Sequence, residues 1–293
     1  MEDKLISYGG QAVIEGVMMR GRNAVAIAMR DPEGKIQLHV EKLTGIYTTN
    51  LAKIPFLRGL VLLWDALGLG MRALTISANT QTGEDEKLEG PALYLTLALS
   101  LAFSIGLFFL LPATAGGLVE KYLGWTSLAG NALEGVVRLA LLILYVWGIG
   151  FMEDIKRVYG YHGAEHKVIN AFEDGAELTP EIVQTYSREH PRCGTAFLLT
   201  LVVISILVFS VFPPMTIWVR LLTRVVFLPV LAGIAYEYIK WTAGHLDSKF
   251  VQALIRPNMA LQLLTTHEPD MEMLEVSIEA FNTMRDAEVE FGI

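Results

Sequence analysis

Twenty consecutive residues, Ala92 to Leu111, carry no charge, and Pro112 follows them. As a helix, a run of that length matches the roughly 30 Å hydrocarbon thickness of a bilayer. Three more apolar runs follow it. Ala132 to Phe151 has Glu134 and Arg138 near its first end, and Ala196 to Phe212 is short and charge-free. Thr216 to Ile239, entered through the Pro213-Pro214 turn, has Arg220 and Arg224 in its first third and Glu237 at its far end. The whole chain of 293 residues is 53% hydrophobic and 18% charged, with mean hydropathy +0.43, too apolar for an ordinary soluble domain. The expected fold class is therefore an α-helical polytopic membrane protein with four transmembrane helices, at 92–111, 132–151, 196–212 and 216–239. Residues 113–131 read as a short loop.

Lysine and arginine set the expected orientation. Residues 1–91 carry ten of them, the 113–131 loop only Lys121, and the 152–195 loop five, with Lys240, Lys249, Arg256 and Arg285 after the last run. Both termini and the 152–195 loop are thus expected in the cytosol, and the protein in the cell (cytoplasmic) membrane, multi-pass. Met1-Glu2-Asp3-Lys4 is polar and lacks the apolar core of a signal peptide, so the start is expected to be retained.

The flanking segments read as water-facing modules. In residues 1–50, Ala24–Arg30 and Lys35–Leu43 read as a strand and its return around the turn Asp31-Pro32-Glu33-Gly34, a small β-hairpin module. Gly9 to Gly21 is apolar and framed by glycines, and its Glu15 reads as a solvent-facing strand residue rather than a catalytic one. In residues 51–90, Arg58, Asp65 and Arg72 fall seven apart, which puts them on one stripe of an amphipathic helix lying on the membrane or against the bundle. Asn79 to Gly90 reads as an acidic linker. In the tail, 241–293, Asp270 is placed to cap a helix whose Leu274, Ile278 and Phe281 form one apolar face.

Chemistry concentrates in the 152–195 loop, at Tyr161-His162-Gly163-Ala164-Glu165-His166-Lys167. His162 and His166 are four apart, so on a helix both imidazoles share a face and can grip one cation, with Glu165 beside them. This is the H-x-x-E-H arrangement. Neutral imidazole binds zinc at about 2.0–2.1 Å, a bound water then has a pKa near 7, and an adjacent carboxylate can act as its base. Catalytic zinc needs a third protein ligand. Glu237 is the first choice, because a carboxylate at the end of an apolar helix is costly unpaired. His190 or Cys193, in Glu189-His190-Pro191-Arg192-Cys193-Gly194-Thr195, is the second, and Glu173, two turns along the His162/His166 face, the third. His245 stays open; His39 and His267 are not expected to bind metal. Cys193 is the single cysteine, which excludes an intramolecular disulfide. A net charge of −8 with no basic run argues against nucleic acid.

Taken together, Tyr8–Gly21, the Arg58-Gly59 helix, Tyr161–Lys167, His190–Thr195 and Ala232–Glu237 resemble the YqhQ-type family of bacterial membrane proteins, provisionally labelled metal-dependent enzymes. The resemblance implies a polytopic membrane protein with a metal site, brings no established substrate, and draws attention to Glu15, His190, Cys193 and Glu237. The expected function is a membrane-embedded, zinc-dependent hydrolase, most simply a peptidase, at the cytosolic face. Glu165 would activate water, and His190 or Arg192 would stabilise the developing oxyanion. Expected partners are membrane lipid and a membrane-protein or peptide substrate, with homo-oligomerisation left open. The alternative is a non-enzymatic scaffold or assembly factor whose histidines knit cytosolic module to bundle.

Overall fold

Ala24 to Met29 is apolar at every position, the pattern of a strand covered on both faces rather than one. In a computed structural model, which describes residues 8–43, 54–82 and 90–291, it is just that. Strands β1 (Gly9–Val13), β2 (Gly16–Arg20), β3 (Ala24–Arg30) and β4 (Ile36–Lys42) form one antiparallel sheet in the order β1-β2-β3-β4. The expected hairpin is the β3–β4 half of this four-stranded meander, with Arg30 opposite Ile36.

Side chains alternate between the two faces of the sheet. Met18, Val25, Ile27 and Met29 face helix α1 (Leu57–Gln81), against Leu69, Ala73 and Leu74. Val17, Met19, Ala24, Ala26 and Ala28 face the other way, onto α5 (Glu153–Glu173) and α11 (Met271–Glu290). Leu274, Ile278 and Phe281 of α11 are buried there, and Asp270 caps α11 by accepting the Met273 N–H at 2.8 Å. The result is a three-layer unit assembled from the start, middle and end of the chain.

Two features of this unit differ from expectation. Glu15 is no strand residue: with Ile14 it makes the two-residue β1–β2 turn, at φ 53, and both its oxygens are bound by Arg157 of α5. The expected stripe on α1 has two uses. Arg58 reaches Glu237, Arg72 reaches Glu41 of β4 at 2.7 Å, and the side chain of Asp65 lies outside the described set. The close approach that joins α1 to the bundle is Gly59 against Gly233, where a Cβ on Gly59 would sit 3.0 Å from the Gly233 Cα. The chain's first four residues and most of the acidic linker fall outside the described residues.

The remaining elements are apolar helices: α2 (Gly90–Ile105), α3 (Leu111–Leu123), α4 (Ser127–Ile149), α7 (Gly194–Ser210), α8 (Ile217–Val226) and α9 (Leu228–Ala243). A short α6 (Pro180–Val183) and an α10 (Lys249–Thr265) connect them to the sheet unit. Among the described residues, two helices, Leu93–Leu123 and Ser127–Ile149, are long and apolar enough to cross a membrane, or three if α8 and α9, bent by 45°, make one span. The helix does not stop at Pro112, and residues 113–123 are not loop. A π-helical turn at Gly106–Leu110, with the Leu111 N–H on the Gly106 carbonyl, carries the chain into α3, where proline is tolerated in the first turn. The third expected span is the short helix α7, 17 residues, and the fourth is broken at Phe227.

Candidate metal centre

Helix α5 places His162 and His166 one turn apart on the same face, with ring centroids 4.4 Å apart. Each imidazole is anchored through Nδ1 to a backbone carbonyl. His162 Nδ1 lies 2.8 Å from the Thr265 oxygen at the end of α10, and His166 Nδ1 lies 2.7 Å from the Arg188 oxygen. A carbonyl only accepts, so both Nδ1 atoms carry hydrogen and both Nε2 atoms present lone pairs. Such anchoring by carbonyls is the usual outer support of a metal-binding histidine.

The His162 Nε2 faces Cys193. His162 Nε2 is 3.1 Å from Sγ, and the three donor atoms lie within 4.8 Å of one another. Tetrahedral zinc with ordinary bond lengths holds such donors about 3.3–3.8 Å apart. His166 Nε2 is buried and has no hydrogen-bond partner. A buried ring nitrogen left without a partner costs free energy unless something fills the position, so the donor set fits a cation. Cys193 is the N-cap of α7, where its sulfur accepts from the Thr195 N–H at 3.4 Å.

Glu165 is 5% exposed and lies against β1. A Cβ on Gly10 would come within 2.9 Å of the Glu165 Cγ, so this close approach requires glycine. Burial pushes the carboxyl up to about 6, while the neighbouring His162 and the Gly10 N–H bonded to it pull the other way. A carboxyl in that range can take up and release a proton near neutrality.

The other candidates lie around this centre or away from it. His190 is held by a reciprocal pair of bonds to Gln262, its N–H to Oε1 and its carbonyl from Nε2, both at 2.8 Å. Its ring is 5.9 Å from that of His166, but its Nε2 faces Glu173 at 3.6 Å, too long for a hydrogen bond. Burial holds its imidazole below the ordinary value, against the pull of Glu173. Glu173 also takes the Arg192 guanidinium, so Arg192 is committed to a carboxylate rather than aimed at the centre. Burial raises the Glu173 carboxyl, but His190 and Arg192 outweigh it and leave it below the usual range.

Glu237, expected as third ligand, is engaged elsewhere. Its Oε1 accepts from the Phe56 N–H at 3.0 Å and Arg58 Nε at 2.6 Å, and its Oε2 from the other arm of the same guanidinium. The carboxylate that an apolar helix cannot leave unpaired is answered by an arginine from α1, not by a metal. His245 bonds the Trp241 carbonyl within its own helix end, at 2.8 Å. Sequence reasoning missed the Thr265 and Arg188 carbonyls, for which side-chain identity carries no signal, and Gly10, whose signal was only the Gly9-Gly10 pair. A surface cleft of about 380 Å³ near the end of α5, lined by Phe172, Asn282 and Arg285 among others, shares no residue with the centre.

A model of the family described as Protein of unknown function (DUF1385) matches residues 54–287, which include every residue of the centre except Gly10. The chain is also 38% identical, over 295 aligned positions, to a Bacillus subtilis (strain 168) protein called Uncharacterized protein YqhQ, covering 95% of this chain and 92% of the relative. No solved structure matches the chain.

Proposed function

This chain belongs to the DUF1385 family, and from its own side chains we propose that it is a metal-dependent hydrolase, most simply a peptidase, working at the cytosolic edge of the cell membrane. His162 Nε2, His166 Nε2 and Cys193 Sγ hold the ion, with zinc the first expectation from two imidazoles and a thiolate. The observation that carries this reading is the buried, partnerless Nε2 of His166 beside the His162–Cys193 contact. When bound, such an ion lowers the pKa of a water in its open fourth position. Glu165 is the group placed to accept that proton, held at Gly10 and poised near neutrality. Because Arg192 is tied to Glu173, it has no part in this scheme.

Topology supports the location. β1–β4, α5 and α11 share one core, so an even number of crossings must separate each from the next. Helices α2–α3 and α4 supply two between the sheet and α5. Hence α7 and the broken α8–α9 both cross or neither does, and positive-inside favours four crossings with this unit in the cytosol. The substrate is then a peptide or amphiphile presented at the membrane edge.

A second reading keeps the ion but makes it structural. The centre ties α5 to the cap of α7 and the end of α10, and Glu165, His166 and Cys193 are all buried. Elemental analysis of protein purified without chelators tests both: one equivalent of metal per chain is expected, lost in the His162→Ala/His166→Ala double variant. Glu165→Gln then separates them. The enzyme reading requires that it keep the metal and lose turnover of peptides cleaved by the wild type. Metal-free wild-type protein refutes both readings.

A further inference from the structure

Away from the metal centre, the apolar bundle buries more positive charge than it can neutralise. Arg138 of α4 and Arg220 and Arg224 of α8 are 4%, 2% and 1% exposed. Arg138 and Arg224 share one carboxylate, Glu134, at 2.8 and 2.7 Å. Arg220 pairs with Glu120 of α3. Among the described residues of these helices, the one remaining carboxylate, Glu237, is taken by Arg58. Three guanidiniums therefore face two carboxylates. Arg224 stacks on Phe209 and Arg138 on Phe109, with the guanidinium carbons 4.1 and 5.5 Å from the ring centroids. Aromatic faces soften a cation without neutralising it.

The surplus has a location. Arg220 Nη1 is buried with no hydrogen-bond partner. It lies against Gly116 and Gly117 of α3, where added Cβ atoms would be 3.3 and 3.5 Å from it. Backbone irregularity converges on the same cluster. Pro112 denies the Phe108 carbonyl its i+4 donor, and Arg138 Nε takes that oxygen at 3.0 Å inside the π-helical turn. Arg224 sits in the last turn of α8, just before the 45° break. In apolar bundles, π turns, broken helices and buried ionisable groups mark ligand sites.

We infer that the cluster binds a singly charged phosphate group at Arg220, with Arg224 and Arg138 behind it. Guanidinium favours oxyanions; with one arm of Arg220 held by Glu120, Nη1 is the donor left to meet one, and one negative charge closes the imbalance. A lipid phosphodiester and free phosphate share that chemistry.

The test uses full-length protein in neutral detergent, with unfolding followed by intrinsic fluorescence. Sodium phosphate is compared with sodium chloride at equal ionic strength, and phosphatidylglycerol with diacylglycerol, which lacks the phosphodiester, in mixed micelles. At about a hundred times its Kd, the bound species should raise Tm by roughly 5–10 °C. A shift with phosphate identifies the free ion, and one with phosphatidylglycerol alone the lipid. Arg220→Gln should abolish the shift. Glu120→Gln, which adds another unpaired cation, should enlarge it. No shift in the wild type, or a full shift in Arg220→Gln, overturns the inference. If Arg220→Gln does not fold, an unenlarged shift in Glu120→Gln overturns it.

Discussion

Alanine at position 163, inside the H-x-x-E-H segment, should loosen both the fold and the proposed metal centre. An added Cβ would lie 2.2 Å from the His267 carbonyl oxygen, which must retreat by about 1 Å to reach ordinary contact. That oxygen belongs to backbone, on a linker pinned to α5: the His267 N–H bonds the Tyr159 carbonyl at 2.8 Å, and the Thr265 carbonyl anchors His162 at 2.8 Å. Overpacking of this kind costs about 1–3 kcal/mol, and a weakened backbone hydrogen bond about 1 kcal/mol more. Alanine recovers about 1 kcal/mol of helix propensity. The clash wins, with a net loss of about 1–3 kcal/mol. Disturbing the His162 anchor should also weaken metal binding about 10- to 100-fold. Gly160→Ala is the control. It gains the same propensity on the same helix, but its Cβ meets the Met273 Sδ at 2.7 Å, the end of a flexible side chain that can swing aside. Thermal unfolding in detergent and metal retention against a competing chelator read the two variants side by side. Gly163→Ala matching the wild type in both assays, or Gly160→Ala losing as much, would refute this account of the linker.

Other substitutions separate the remaining roles. Cys193→Ser should lower metal content sharply with little change in the fold, as elemental analysis and circular dichroism would register. Glu237→Gln should leave metal content unchanged while weakening the α1–α9 junction by about 1 kcal/mol, visible as a lower Tm; lost metal would return Glu237 to the ligand set. Glu165 has a folded-state pKa of about 6, above its unfolded value. Its contribution is therefore intact below about pH 4 and is lost as pH rises through 6. Metal-stripped Glu165→Gln should thus be more stable than stripped wild type by about 2 kcal/mol above pH 7, with no difference near pH 4. Parallel unfolding curves at pH 4, 6 and 8 check the sign.

Much of the centre was legible because helical spacing alone puts His162 and His166 on one face. The third donor was not, since Glu237, Cys193, His190 and Glu173 differ only in where distant segments travel. Glu237 pairs with Arg58 across 179 positions, and no local pattern announces that. The β3–β4 strands showed themselves through an unbroken apolar run, an alternating partner at Ile36, Leu38 and Val40, and an Asp-Pro-Glu-Gly turn between them. The β1–β2 pair did not, because its turn uses Ile14-Glu15 without glycine or asparagine, a left-handed glutamate held by an arginine from another element. Pro112 looked like a helix end, since proline normally breaks the i→i−4 ladder. Here the π turn absorbs the break and Arg138 takes the freed carbonyl.

The sheet's dependence on α11 has a consequence for synthesis. β4 ends at Lys42, whereas the helix that covers one face of the sheet begins at Met271. At ribosomal speeds of about 5–20 residues per second, that interval lasts on the order of ten seconds to most of a minute. Throughout it, Val17, Met19, Ala26 and Ala28 lack their final cover. The nascent sheet segment should therefore be a client of holding chaperones until α11 has been made, and a stop codon just before Met271 should yield insoluble product.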